Sequence, residues 1–281
     1  MAREGAKRGV AGQVPGAVGK AGSGKGARAA GAVGSAAAAG SATERDAGAG
    51  AQGAAGAVAE PCVPGSRVAA STPGAPCALS PEFFAAREAE LRRRVSAKRF
   101  AHVQGVVRMA ERLARAYGVD VPRARLAALL HDWDKGYDDP GIRARAREVG
   151  ADVDPWVAEH MPRLLHGPTA ACALRCAHPG IPREVLVAIE RHTTGAPDMG
   201  DLDMVLYVAD ALEEGRTFGR VEELRGRIGR ESLEELFVDV LGYWTILIIE
   251  AGKPLHPDTV GVWNAYVMKR QKPFVHGEER A

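Results

Sequence analysis

Six residues in this chain have the types and the settings to do chemistry: His102, the adjacent pair His131 and Asp132, His166, His192 and Asp210. Each lies in or beside an apolar, helix-like stretch. Four imidazoles and two carboxylates are what a buried metal centre needs from a helix bundle, and a mixed set of this kind suits iron, manganese, cobalt or zinc. Taken singly, any of them reads as a satisfied core histidine or a capping aspartate. Taken together they do not. Asp210 sits in the run Tyr-Val-Ala-Asp-Ala-Leu, and a carboxylate among such neighbours is expensive to bury unless it is paired or bound to a cation. On a continuous helix the side chains of His131 and Asp132 would diverge by about 100°. They converge on one ion at a helix end, which Asp134, Gly136 and Pro140 predict just beyond the pair. Asp132 and Lys135 are the residues expected to act in catalysis, the first on the metal and the second as a fixed positive charge three residues later.

Other cations stand at regular offsets from the same residues. Arg99 precedes His102 by three positions and Arg216 follows Asp210 by six. Guanidinium groups bind phosphate bidentately, so these spacings point to a polyphosphate substrate, the plainer reading of each being an exposed ion pair. His166, in Leu-Leu-His-Gly-Pro, and His192, in Arg-His-Thr-Thr-Gly, have two open roles: a second metal site sharing Asp132, or contacts to phosphate oxygens. His160, His178, His256 and His276 lie among polar or proline-rich residues and are expected at the surface or in turns.

The elements that must position these groups are helical. Ser80-Pro81-Glu82 combines an N-cap, a proline at the first helical position and an acid in the first turn. Val103, Val106, Val107, Ala110 and Leu113 form one stripe that Gly118 ends, and Leu126, Leu129 and Leu130 form the next. Further helices are expected near 140–149, 166–177, 182–193, 201–213, 231–251 and 257–269. With no alternating strand pattern and no repeat, the fold class is all-α.

The domain boundary follows from composition. The first 60 residues hold 36 Ala plus Gly, and the first Leu is Leu79. Such a segment cannot bury enough apolar surface to offset its ordering entropy, so residues 1–79 are expected to be a disordered low-complexity tail and 80–281 the domain. The sequence GKAGSGKG at 19–26 nearly spells a phosphate-binding loop, but Gly26 replaces the required Ser or Thr and no apolar strand precedes it. The tail carries 8 of the 37 basic and 4 of the 35 acidic residues, which leaves the rest at −2 and argues against a nucleic-acid surface. Arg92-Arg93-Arg94 is expected to be a solvated helix face. The longest apolar run, 240–249, is about half a bilayer span and reads as a core helix, so no membrane partner is expected. Cys62, Cys77, Cys172 and Cys176 show no metal-binding spacing. Cys172 and Cys176 are expected as small buried thiols, and reduced thiols favour the cytoplasm.

In their order and spacing, Arg99-Phe-Ala-His102, Leu129-Leu-His131-Asp132-Trp-Asp-Lys135, Leu165-His166-Gly-Pro168, Arg191-His192-Thr-Thr-Gly195, Asp210 with Arg216, and His256-Pro-Asp-Thr259 resemble the YqeK-type HD-domain symmetrical diadenosine tetraphosphate hydrolases of bacteria. The resemblance spans about residues 85–268. It implies an HD-type helical bundle in which His102, His131, Asp132 and Asp210 hold an iron ion, with manganese or cobalt as substitutes. It further implies that Arg99, His166, His192, Thr193, Arg216, Thr259 and Asn264 contact an ADP moiety. The expected partners are a nucleotide substrate and at most a second copy of the chain in a homodimer. Two departures stand out: Asp134 adds a negative charge where the family often has a small residue, and Gly261-Val-Trp263-Asn264 replaces a more polar stretch. The competing readings are another HD nucleotide hydrolase, acting on deoxynucleotides or guanosine tetraphosphate, and a non-catalytic nucleotide sensor.

Overall fold

The computed structural model describes residues 77–217 and 219–270. The expected tail up to residue 76, with the glycine-rich stretch at 19–26, and His276 lie outside the described residues. Among those described there is no strand. Eleven α-helices follow one another: α1 (Pro81–Arg94), α2 (Ala97–Tyr117), α3 (Val121–Leu130), α4 (Asp139–Glu148), α5 (Pro155–His160), α6 (His166–Ala177), α7 (Arg183–Arg191), α8 (Asp201–Leu212), α9 (Val221–Gly226), α10 (Leu233–Glu250) and α11 (Thr259–Arg270), with a 3-10 turn over Pro162–Leu164 before α6.

The helix starts are chemically explicit. Ser80 Oγ accepts the Phe83 amide at 3.2 Å and Ser96 Oγ the Arg99 amide at 3.2 Å. Asp120, Asp138 and Asp154 cap α3, α4 and α5 in the same way, each with a proline in the first two positions. Gly118 ends α2 at φ 71°, a left-handed conformation that glycine adopts without a Cβ penalty. Ser232 and Glu235 close a reciprocal capping box on α10.

At the centre lies α8, buried from Leu202 to Leu212 without a break, and α2, α7 and α10 pack around it while α3 lies against α2 and α7. A helix that is apolar on every side belongs inside a core. Asp210 is therefore buried by the position of its helix. A second, smaller cluster of Ile142, Ala146, Val157, Met161, Leu164 and Leu165 joins α4, α5 and the 3-10 turn, and fixes the start of α6 where His166 stands.

Three expectations are corrected. Arg92 stacks over the Phe100 ring at 4.5 Å and Arg94 over the Trp133 ring at 4.6 Å, so the arginine run is only partly a solvated face: the end of α1 packs on α2 and on the turn after α3. Cys172 is half-buried and Cys176 exposed, because Ala171 and Leu174 take the core side of α6; Cys176 is disulfide-bonded. The short helices α5 and α9, six residues each, are absent from the sequence reading because a six-residue segment carries under two periods of the helical pattern. Among the described residues no helix is long and apolar enough to cross a membrane, and the apolar run at 240–249 falls within α10.

Candidate metal centre

The end of α3 shapes the centre. The helix stops at Leu130, His131 is its C-cap, and residues 131–136 form consecutive turns. The adjacent pair is thereby freed from the helical angle and both side chains enter the same space. His131 donates Nδ1–H to the Ala128 carbonyl at 2.7 Å, which leaves Nε2 bare. His192 repeats this at the C-cap of α7, donating to Ile189 at 2.7 Å, and His166 does so at the first position of α6, donating to Arg163 at 2.7 Å. Three rings thus use one device: Nδ1 on a carbonyl three residues back, Nε2 facing inward.

His102 comes from the middle of α2, where the carbonyls serve the helix, and its Nδ1 instead meets Glu213 Oε1 at 3.1 Å. Its Nε2 lies 3.0 Å from Asp210 Oδ1 and 3.9 Å from Asp132 Oδ2. His131 Nε2 is 3.4 Å from Asp132 Oδ2. The Nε2 atoms of both His102 and His131 are buried, and neither makes a well-aligned hydrogen bond to the carboxylates they face. His102, His131 and Asp210 form one group with ligand atoms close enough to share an ion, and His131, Asp132 and His192 form another. Buried imidazole nitrogens facing two carboxylates are the donor set of a divalent cation, so the residues fit a metal.

The electrostatics agree. Burial pushes the Asp132 carboxyl up, yet the His131 ring and the Lys135 ammonium hold it well below the usual carboxylate range. Burial opposes ionisation of Asp210 too, and His102 and Arg216 outweigh it. For His102 burial disfavours the charged ring, but Asp210 and Glu213 raise it to about 9. His192 goes the other way, held well below its ordinary value by burial and by the neighbouring rings of His166 and His131.

The expected cations are here, engaged with ligand residues. Arg99 Nη1 is 3.0 Å from Asp132 Oδ2 and Arg216 Nη2 is 3.2 Å from Asp210 Oδ1. Lys135 Nζ lies 4.0 Å from Asp132 Oδ1 and 3.3 Å from His166 Nε2. Asp134 is a different case. Its side chain is fully buried away from the ligands, between Arg94 Nη2 at 3.0 Å and Arg145 Nε at 3.3 Å, so the extra charge is spent on anchoring the turn.

A narrow pocket adjoins the centre. Thr193 and Thr194, following His192, line it with Tyr207, one turn before Asp210, and with Thr245, His256 and Thr259. The Thr193 hydroxyl is buried without a partner. His256, read from sequence as a turn residue, is half-buried in this wall; the proline and aspartate around it conceal that from the sequence. Asn264, which the resemblance implies contacts the ADP moiety, lies on the exposed side of α11, opposite the buried Val262 and Tyr266, and does not line this pocket. Glu213 was also missed, since a carboxylate just past a helix end reads as solvated.

Residues 99–215, which contain His102, His131, Asp132, His166, His192, Asp210 and Glu213, match the HD domain family. The chain is 33% identical over 174 residues to the symmetrical bis(5'-nucleosyl)-tetraphosphatase of Halalkalibacterium halodurans, covering 62% of this chain and 91% of that protein. It belongs to the family of symmetrical bis(5'-nucleosyl)-tetraphosphatases, hydrolases built on the HD domain. The enzyme of the same name from Bacillus subtilis is 29% identical over 175 residues, 62% of this chain and 92% of the relative. The crystal structure of a predicted HD superfamily hydrolase of Clostridium acetobutylicum, described as involved in NAD metabolism, superposes with a TM-score of 0.61 at 32% identity, over 66% of this chain and 97% of that one.

Proposed function

We propose that this protein is a metal-dependent hydrolase that splits diadenosine tetraphosphate symmetrically into two ADP. The observation that carries the reading is the convergence of the buried Nε2 atoms of His102 and His131 on the carboxylates of Asp132 and Asp210, with His102 Nε2 3.0 Å from Asp210 and His131 Nε2 3.4 Å from Asp132. An ion held there would activate water near neutral pH and polarise a phosphoryl oxygen. Iron is the ion proposed, with manganese or cobalt able to take its place. His192 and His166, which share Asp132, are the ligands for a second ion at high metal concentration.

The remaining groups act on the substrate. Lys135, Arg99 and Arg216 surround the ligand carboxylates and stabilise the charge that develops on the phosphoryl oxygens. Arg99, about a third exposed, can reach a phosphate without leaving its helix. Thr193 and Thr259, in the wall of the narrow pocket beside the centre, are the residues to contact the ADP moiety. Gripping one ADP unit there brings its β-phosphate to the centre, and attack at that phosphorus expels the other ADP. Metal analysis of the purified protein, followed by product chromatography on a panel of dinucleoside polyphosphates, tests the reading. Stoichiometric metal and ADP as sole product support it, whereas binding without turnover would make the protein a sensor.

A further inference from the structure

Among the four histidines of the centre, His102 is distinguished by what stands behind it. His131, His166 and His192 rest on backbone carbonyls, neutral acceptors at 2.7 Å. His102 rests on a carboxylate, Glu213 Oε1 at 3.1 Å, from the segment just past α8. We infer that Glu213 is a positioning residue, which holds His102 with Nδ1 protonated so that Nε2 is aimed at the metal as a bare, more basic donor. This rests on the metal centre proposed above and extends it to a residue that touches neither metal nor substrate.

The surroundings of Glu213 are built to hold it still. Its Oε2 accepts the Gly215 amide at 2.6 Å, and Arg216 Nε stands 3.7 Å from Oε1. The backbone of the same turn is tied down by Arg225, a buried guanidinium that donates to the carbonyls of Leu212 at 2.8 Å and Arg216 at 2.6 Å, and to that of Glu213 itself. Two glycines make room for the carboxylate. A Cβ on Gly105, one turn after His102 in α2, would come within 2.5 Å of Oε2, and one on Gly215 within 2.9 Å of Oε1. Glycine inside a helix ordinarily costs about 1 kcal/mol against alanine. At Gly105 the absence of a side chain is what lets the carboxylate reach the imidazole.

A carboxylate behind a metal-bound histidine fixes its tautomer and ring orientation and raises its basicity, and losing one typically lowers metal affinity 10- to 100-fold. The amide of a glutamine can present an N–H to Nδ1 and so favour the wrong tautomer. The two variants needed are therefore Glu213→Gln, which changes the acceptor at nearly constant shape, and Gly105→Ala, which displaces the carboxylate while improving the helix. Neither alters a ligand.

The test is cobalt(II) titration of the full chain after chelation, with melting temperature as a fold control and ¹⁵N NMR of histidine to read the tautomer. The expected result is a 10- to 100-fold weaker cobalt affinity in Glu213→Gln, with loss of the Nδ1-protonated signature at His102 and a folded protein. Gly105→Ala should weaken cobalt binding in the same direction without lowering the melting temperature. Wild-type affinity in Glu213→Gln, alongside loss of binding in His131→Ala, would overturn the role of Glu213 and leave the centre standing. Wild-type affinity in His131→Ala would instead place the fault in the metal centre.

Discussion

The Nε2 atoms of His166 and His192 face each other at 3.0 Å while both Nδ1 atoms are committed to backbone carbonyls. Burial lowers the pKa of each ring, most strongly at His192, so neither gains a proton easily and two lone pairs are left pointing at one another. A cation beside them relieves that arrangement. The enzyme should therefore carry one tightly held ion as purified and take up a second at elevated metal concentration, with the double variant His166→Ala/His192→Ala losing only the second. Inductively coupled plasma analysis across a manganese series checks this. One ion at every concentration, with substrate KM raised in the double variant, would assign the two rings to phosphate instead.

Asp132 and Lys135 separate occupancy from rate. Asp132→Ala should remove both metal and activity, since its carboxylate meets His102, His131 and His166. Lys135→Ala should keep stoichiometric metal and lower kcat by about 10²–10³-fold, the usual effect of deleting one preorganised electrostatic contact. Metal content and single-turnover rates of the two variants, measured side by side, check the division.

The His102 ring gives a pH dependence with a definite sign. Its pKa in the chelated protein is about 9, above the ordinary value of 6.5, despite burial, because Asp210 and Glu213 favour the charged form. The stability this provides is fully present below 6.5 and is lost as pH rises through about 9. The proton must leave before Nε2 can bind a metal, so metal affinity should rise with pH by about tenfold per unit between 7 and 9 and then level off. Isothermal titration with cobalt in buffers of different ionisation enthalpy should show the proton released on binding. A flat affinity over that interval would mean that His102 is not a ligand.

Asp134 should matter to stability more than to metal content. Its buried carboxylate neutralises Arg94 and Arg145, and Asp134→Ala leaves two partly buried guanidiniums without it. A loss of about 3–5 kcal/mol is expected by chemical denaturation, because breaking a buried ionic contact from one side strands the other charge. A change under about 1 kcal/mol would show that the arginines find other partners.

Much of the fold was legible because the apolar stripes of α2 and α3 repeat at helical spacing and the start of α1 and the end of α2 are explicitly capped. The metal-site residues were legible because a charge inside such a stripe has few innocent explanations, as at Asp210. What the sequence hid was relational. Glu213 and His102 meet across 111 positions, and nothing local marks the glutamate as buried. His256 looks like a turn residue until it is seen to line the same pocket as Thr193 and Thr259. The Arg94 contact to Asp134 likewise joins α1 to the turn after α3, and residues forty apart give no local sign of it.

The most direct test of the central claim is the position at which the polyphosphate chain breaks. With one ADP unit held by Arg99, Lys135 and Arg216, its β-phosphate meets the centre. Hydrolysis of diadenosine tetraphosphate in ¹⁸O-labelled water should give ADP alone, with the label in the β-phosphate of one of the two molecules formed per turnover. Equimolar ATP and AMP would contradict the account, since they would mean that the nucleotide sits one phosphate out of register with the residues assigned to hold it.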